Sequence, residues 1–287
     1  MLTADLGIAA AYLQHRPPPG RVLLCAVTGA HLYGFPSPDS DLDLKGIHLA
    51  PTTSLLGLHP NTPAHDHTEI FRNVECDLTT NEAADALRLL GTGNGNVLER
   101  ILSPLQIVPS EEIAELQALA RGAVSARFAR HYAGFLRGKR RELGEQPTTK
   151  GLLYAYRVAL TGIHLLRSGE LDPNLPSLVD GRAEEQAVSE LIARKRSADE
   201  HATIDDQLLA EHLPAIDQLG EELADAEADT TLPSDPLNVR EIEDWLIRLR
   251  TAEIRAHLRD ESRPVEIDAA ANRVRETFRD AFDRLGE

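Results

Sequence analysis

Two aspartates, Asp41 and Asp43, stand two residues apart in Asp39-Ser40-Asp41-Leu42-Asp43-Leu44-Lys45-Gly46. On an extended strand this spacing puts both carboxylates on one face, about 7 Å apart along it. Two convergent carboxylates are what a pair of Mg²⁺ ions needs to grip a triphosphate and activate an attacking hydroxyl. Twelve residues before the first of them, Gly29 closes the apolar run 22–27. A glycine there lets backbone N–H groups approach phosphate oxygens, and a short helix from about Ala30 would turn its positive end toward them. A bare Asp-x-Asp is more often a turn and cap before an edge strand. The glycine at the end of an apolar strand is what favours chemistry.

These residues need elements to hold them. The pattern predicts a short amphipathic helix over 3–14, ended by Pro17-Pro18-Pro19-Gly20, then strands over 21–27 and 42–49. The stretch 51–68 reads as a long Thr/Pro/His-rich loop, a lid or mobile edge. A strand follows over 70–77, helices over 81–90 and 97–101, and a last short strand over 105–108. After Ser110 the strand signals stop. Helices are expected over 110–119, 124–143, 150–167, 183–196, 204–224, 238–258 and 265–285, punctuated by Gly144, Gly169 and the Pro173/Pro176 pair. The expected fold is therefore α+β, a small mixed-sheet domain over 1–109 followed by an all-helical domain over 110–287.

Composition narrows the class. The chain has 287 residues, 42% hydrophobic and 26% charged, a soluble globular balance long enough to bury a core. Its apolar runs are too short to span a bilayer, and the N-terminus lacks the basic flank of a secretory signal. Two cysteines, Cys25 and Cys76, make no disulfide framework, so a reduced cytoplasmic setting and no membrane are expected. Net charge is -16, yet between Arg121 and Arg157 nine Lys/Arg face only Glu142 and Glu145. That segment carries +7 and the remainder -23. An acidic body argues against broad, nonspecific nucleic-acid binding, whereas one basic stripe suits a compact polyanion. Tyr154, Arg157, Thr161 and His164 share one helical face, so Lys150 and Arg157 are expected to line a cleft, with Lys139–Arg141 reserved for a larger acceptor.

Gly29-Ala30, ten intervening residues and Asp41-Leu42-Asp43 together resemble the signature of the DNA polymerase beta-type nucleotidyltransferase superfamily. The fuller string, with Tyr33-Gly34-Phe35 and Ser37-Pro38-Asp39-Ser40-Asp41, is similar to its RlaP-like, RNA-repair-associated branch. Leu87-Arg88-Leu89-Leu90 and Gly93-Asn94-Gly95-Asn96-Val97-Leu98-Glu99 resemble the same branch, and Tyr154 to Glu170 does so more loosely. The resemblance implies a polymerase beta-like fold and transfer of a nucleoside monophosphate from an NTP to a hydroxyl, with Mg²⁺ or Mn²⁺ and release of pyrophosphate. Asp41 and Asp43 would bind the metals, and Asp77 would join one of them and help deprotonate the acceptor. Glu75 has the same strand parity and competes for that third place. Gly29, Ala30, Ser40, Lys150 and Arg157 would contact the nucleotide. The acceptor stays open between an RNA end, a protein and a small molecule. A noncatalytic nucleotide-binding module or an antitoxin-like partner regulator is the alternative.

Two departures from the family pattern matter. Ala30 stands where the family has Ser, removing a hydroxyl contact to the triphosphate worth about 1–3 kcal/mol. Gly95 replaces a proline and is expected only to loosen a turn. Elsewhere the ordinary structural roles are preferred. Asn96 and Glu99 read as a capping box, Lys45 as salt-bridged or solvated, and His65-Asp66-His67 as loop polarity without a third ligand. Cys76 reads as a buried strand residue. For His31, a nucleotide contact and a surface position are equally open.

Overall fold

The computed structural model describes residues 4–56, 64–197 and 203–259. Residues 1–246 form one compact unit, and 247–287 form a second, helical over its described residues 247–259. The chain begins with α1 (Leu6–His15), β1 (Arg21–Val27), the short α2 (Gly29–Tyr33) and β2 (Leu42–Leu49). Next come α3 (Thr52–Leu55), β3 (Ala64–Phe71), β4 (Val74–Glu82), α4 (Ala83–Gly91) and α5 (Gly95–Leu102). The rest is helical: α6 (Ile113–Gly122), α7 (Phe128–Glu145), α8 (Thr149–Ser168), α9 (Leu175–Val179), α10 (Glu185–Ser197), α11 (Asp206–Asp229) and α12 (Val239–Arg259). This is the expected small mixed sheet followed by helices. The helix expected over 265–285 lies outside the described residues.

The four strands order as β1-β2-β4-β3. β2 runs antiparallel to β1 and parallel to β4, while β3 and β4 form an antiparallel hairpin. One face of the sheet carries Cys25, Val27, Leu42, Leu44, Cys76 and Leu78, which pack on Ala9, Tyr12 and Leu13 of α1. Strand alternation then sends Asp43, Lys45, Asp77 and Thr79 to the other face. Arg16 clamps α1 to β3 through two hydrogen bonds to Glu69, each 2.9 Å.

Three expectations change here. The single strand over 70–77 is the corner of a hairpin, turned at Arg72 and Asn73 with φ of 52° and 64°. Both residues sit in the left-handed region that tight hairpin turns require, and only the asparagine advertises it. The loop over 51–68 contains α3 and the start of β3, whose alternation of polar side chains gives no apolar signal. The stretch 105–108 is a bridge and not a full strand: Val27 N–H donates to Leu105 O at 3.0 Å and Ile107 N–H to Cys25 O at 2.8 Å.

α8 is the axis of the helical part. It is buried nearly all round, which an amphipathic surface helix never is. The Thr148 side chain caps its start by accepting from Gly151 N–H, and Gly169 ends it at φ 76°. Gly162 lets Tyr132 of α7 and Leu223 of α11 approach closely, since a Cβ there would stand 2.7 Å from Tyr132 Cβ.

Candidate active site

The site starts where β1 ends. Thr28 N–H donates to the carbonyl of Asp43 at 2.8 Å, so the first turn of α2 is drawn against β2. Gly29 follows with φ 61°, and a Cβ at this position would collide with the Asp43 carboxylate. Glycine is thus required twice, by backbone conformation and by the side chain it abuts. The spacing between Gly29 and the aspartates is a packing constraint.

Asp43 lies opposite Asp77 in the parallel β2–β4 register, and Lys45 lies opposite Thr79. Lys45 Nζ donates to Asp77 Oδ2 at 2.7 Å and to Thr79 Oγ1 at 3.1 Å. The Thr68 hydroxyl donates to Asp77 Oδ1 at 3.2 Å. Lys45 is therefore salt-bridged as expected, but it also lines the pocket above these residues. That pocket measures about 280 Å³, with Gly29, Asp43, Lys45 and Thr79 on the sheet side and Tyr33, Asn96, Glu99 and Tyr154 across from them. Asp41, half-buried, immediately precedes β2 and shares the parity of Asp43. Glu75 is exposed, pairs with Ile70 on the hairpin, and lies one residue before the β2–β4 pairing, which begins at Leu42 and Cys76. The parallel pairing brings Asp77 beside Asp43.

The carboxylate oxygens of Asp41 and Asp43 suit a hard divalent ion such as Mg²⁺. The space beside Asp43 exists only because residue 29 has no Cβ. Asp77 already has both oxygens hydrogen-bonded. Among the described residues no three His, Cys, Asp or Glu side chains converge as a ready metal cluster. His65 and His67 fall on β3 as neighbouring rings, in a strand where a loop was expected.

Across the pocket the geometry departs further from expectation. Arg157 does not line it. Its guanidinium is 2% exposed, donates to Glu99 Oε1 at 2.6 Å, and stacks over the Tyr33 ring at 4.0 Å. Burial alone would lower its pKa, but the Glu99 carboxylate and the surrounding tyrosines more than offset this and hold it charged. Tyr33 OH donates to Glu99 Oε2 at 2.9 Å, so Glu99 has a partner on each oxygen. The capping-box reading of Asn96 and Glu99 therefore fails: Asn94 is the N-cap, accepting from Val97 N–H at 3.2 Å. Gly95 does more than loosen a turn, because a Cβ there would meet the His131 ring of α7 at 2.6 Å.

The other expected nucleotide contacts lie outside the pocket lining. Ala30 is buried and does not line the pocket. Ser40 is buried as well: its Oγ accepts from Ser37 N–H at 3.0 Å and from Lys195 Nζ at 3.1 Å, fixing the turn before Asp41. Lys150 is half-buried near the start of α8. In the basic stripe, Lys139 pairs with Glu142 and sits 5.4 Å over the Tyr154 ring, while Arg140 pairs with Asp217. His31 faces a separate, mostly apolar cavity of about 720 Å³ with Pro36 and Arg196. Cys25 and Cys76 are buried, and burial pushes their thiols up to about 12 and about 11, so neither is a nucleophile.

Sequence reasoning assigned Lys45 no role at the site and Tyr33 none beyond a family string, and it offered nothing for Thr79. Lys45 and Thr79 carried a signal in their strand parity with Asp43 and Asp77.

Residues 9–248 match the model of RlaP, the RNA repair pathway DNA polymerase beta family. The chain belongs to this family. The family's description names a DNA polymerase beta family of an RNA repair pathway. An uncharacterized protein of Methanocaldococcus jannaschii is 26% identical over 159 residues, 54% of this chain and 64% of that one. The chain thus spans just under two thirds of that relative's length. The crystal structure of a nucleotidyltransferase-like protein from Exiguobacterium sibiricum 255-15 aligns over 91% of this chain and 82% of that one, at 11% identity and a TM-score of 0.30. Agreement that low carries no weight beside the family match.

Proposed function

We propose that this RlaP protein transfers a nucleoside monophosphate from an NTP to a hydroxyl acceptor and releases pyrophosphate, with Mg²⁺ or Mn²⁺ held by Asp41 and Asp43. The observation that supports the reading best is the packing of Gly29 against Asp43 at the pocket, with Asp77 in register beside Asp43 on the neighbouring strand. A divalent ion at such carboxylates neutralises phosphate charge and lowers the pKa of a nearby hydroxyl. The protein's own contribution is positional. Gly29 presents bare backbone to the phosphates, Thr28 locks that backbone to β2, and Tyr154 offers a flat wall opposite the carboxylates. In the transfer the acceptor oxygen bonds to the α-phosphorus, the bond from that phosphorus to the bridging oxygen breaks, and the acceptor's proton passes to Asp77.

RNA is the acceptor this reading favours. The family's description names an RNA repair pathway, and the exposed side of α7 carries Arg130, Arg137 and Arg141. Incubating the chain with each labelled NTP and Mg²⁺ against pooled cell RNA and, separately, pooled protein tests the proposal. Label transfer to RNA that Asp43→Asn abolishes is the expected result. Transfer to protein alone overturns the acceptor, and no transfer from any NTP overturns the reaction.

A further inference from the structure

We infer that the Lys45 ammonium is a built-in cation at the Asp77 half of the carboxylate face, so that the site takes one divalent metal ion per chain, on Asp41 and Asp43. The inference rests on the metal-binding reading above and departs from the two-ion site that spacing alone led to. Three carboxylates sharing two ions would need free oxygens on Asp77. In the folded chain Lys45 donates to one of those oxygens at 2.7 Å and Thr68 to the other at 3.2 Å.

The register explains why the lysine reaches there. Lys45 follows Asp43 by two residues, so both project from the same face of β2. Asp43 lies opposite Asp77 and Lys45 opposite Thr79, which puts the ammonium diagonally across the two strands. Its second bond, to Thr79 Oγ1 at 3.1 Å, gives it two acceptors on β4. Both members of the Lys45–Asp77 pair are only partly exposed, at 24% and 36%. A divalent ion binding to Asp77 would have to displace a positive charge at hydrogen-bond distance and then share with it a pocket that Lys45 lines. Like charges at that range repel. The absence of any three-ligand cluster among the described residues agrees.

Lys45 is thus a positioning residue that acts through Asp77: it holds that carboxylate out of the metal's ligand set. The reaction keeps its charge balance, because one fixed ammonium stands in for part of a second ion.

Counting bound metal tests this without any turnover. The full chain is titrated with Mn²⁺ in high salt, which suppresses loose binding to its acidic surface, and free ion is followed by electron paramagnetic resonance. Wild type and Asp77→Asn should each hold one ion per chain, and Asp43→Asn none. Lys45→Met should gain a second ion, whereas Lys45→Arg, which keeps the charge, should stay at one. Two ions in wild type, one of them lost in Asp77→Asn, would overturn the inference and leave the metal reading standing. A count unchanged in Lys45→Met would overturn it as well. No ion in wild type would sink both.

Discussion

The Lys45–Asp77 and Arg157–Glu99 pairs have nearly the same length, 2.7 and 2.6 Å, and both border the same pocket. Their surroundings differ. The first joins two neighbouring strands and keeps a quarter to a third of each side chain in solvent. The second joins α8 to α5 beneath the Tyr33 ring with 2% of either side chain exposed. A solvated pair adds little to folding stability, because water compensates each charge when the other is removed. Breaking a dry pair costs much more, because either partner left alone is an uncompensated buried charge. One pair sets the charge at the carboxylate face and the other holds the pocket's far wall.

The largest effects should come from the dry pair. Arg157→Ala should lower unfolding stability by about 3–5 kcal/mol in a denaturant titration, and Arg157→Met combined with Glu99→Gln should recover much of that loss. Lys45→Met, at a pair of equal length, should change stability by only ~0–1 kcal/mol. Equal losses in the two single variants would erase the distinction.

A smaller change sharpens the comparison at the sheet. Gly29→Ala places an L residue at φ 61°, costing about 1–2 kcal/mol. Its Cβ must also push the Asp43 carboxylate aside. Mn²⁺ affinity and label transfer should therefore collapse while the melting transition stays cooperative. Retained Mn²⁺ affinity would show that the Asp43 position does not depend on that contact.

The smallest effect is a pH dependence. Burial holds the His131 imidazole below its usual value, with Glu99 partly opposing and Arg157 adding to the shift. Burial depresses His48 and His212 in the same direction. The unfolded chain then binds more protons than the folded one. The stability these neutral rings contribute is complete above pH ~6.5 and is lost as pH falls through their folded values. Each unit of separation is worth about 1.4 kcal/mol. Unfolding curves taken from pH 7.5 down to 5 should show the decline, and His131→Gln should flatten it. A decline unaltered in that variant would remove His131 from the account.

Legibility tracked how local each cause was. β1 and β2 were readable to the residue, because an apolar run and an alternation are properties of neighbouring side chains. The hairpin of β3 and β4 was missed because its turn rests on Arg72 and Asn73 and its edge strand alternates between polar residues. Glu99 resembled a helix cap because its two partners, Tyr33 and Arg157, lie 66 and 58 residues away.

The sequence by itself determined the chemistry on offer: carboxylates at a strand period, a glycine at the end of an apolar strand, and a helical run after Ser110. Each follows from backbone geometry acting over a few residues. Only the tertiary structure decided which charges meet. The parallel register of β2 on β4 brought Asp77 to Asp43 and Lys45 to Asp77, and the packing of α8 on α5 buried Arg157 against Glu99. Pairing between distant segments depends on register and burial, and neither is written in local spacing.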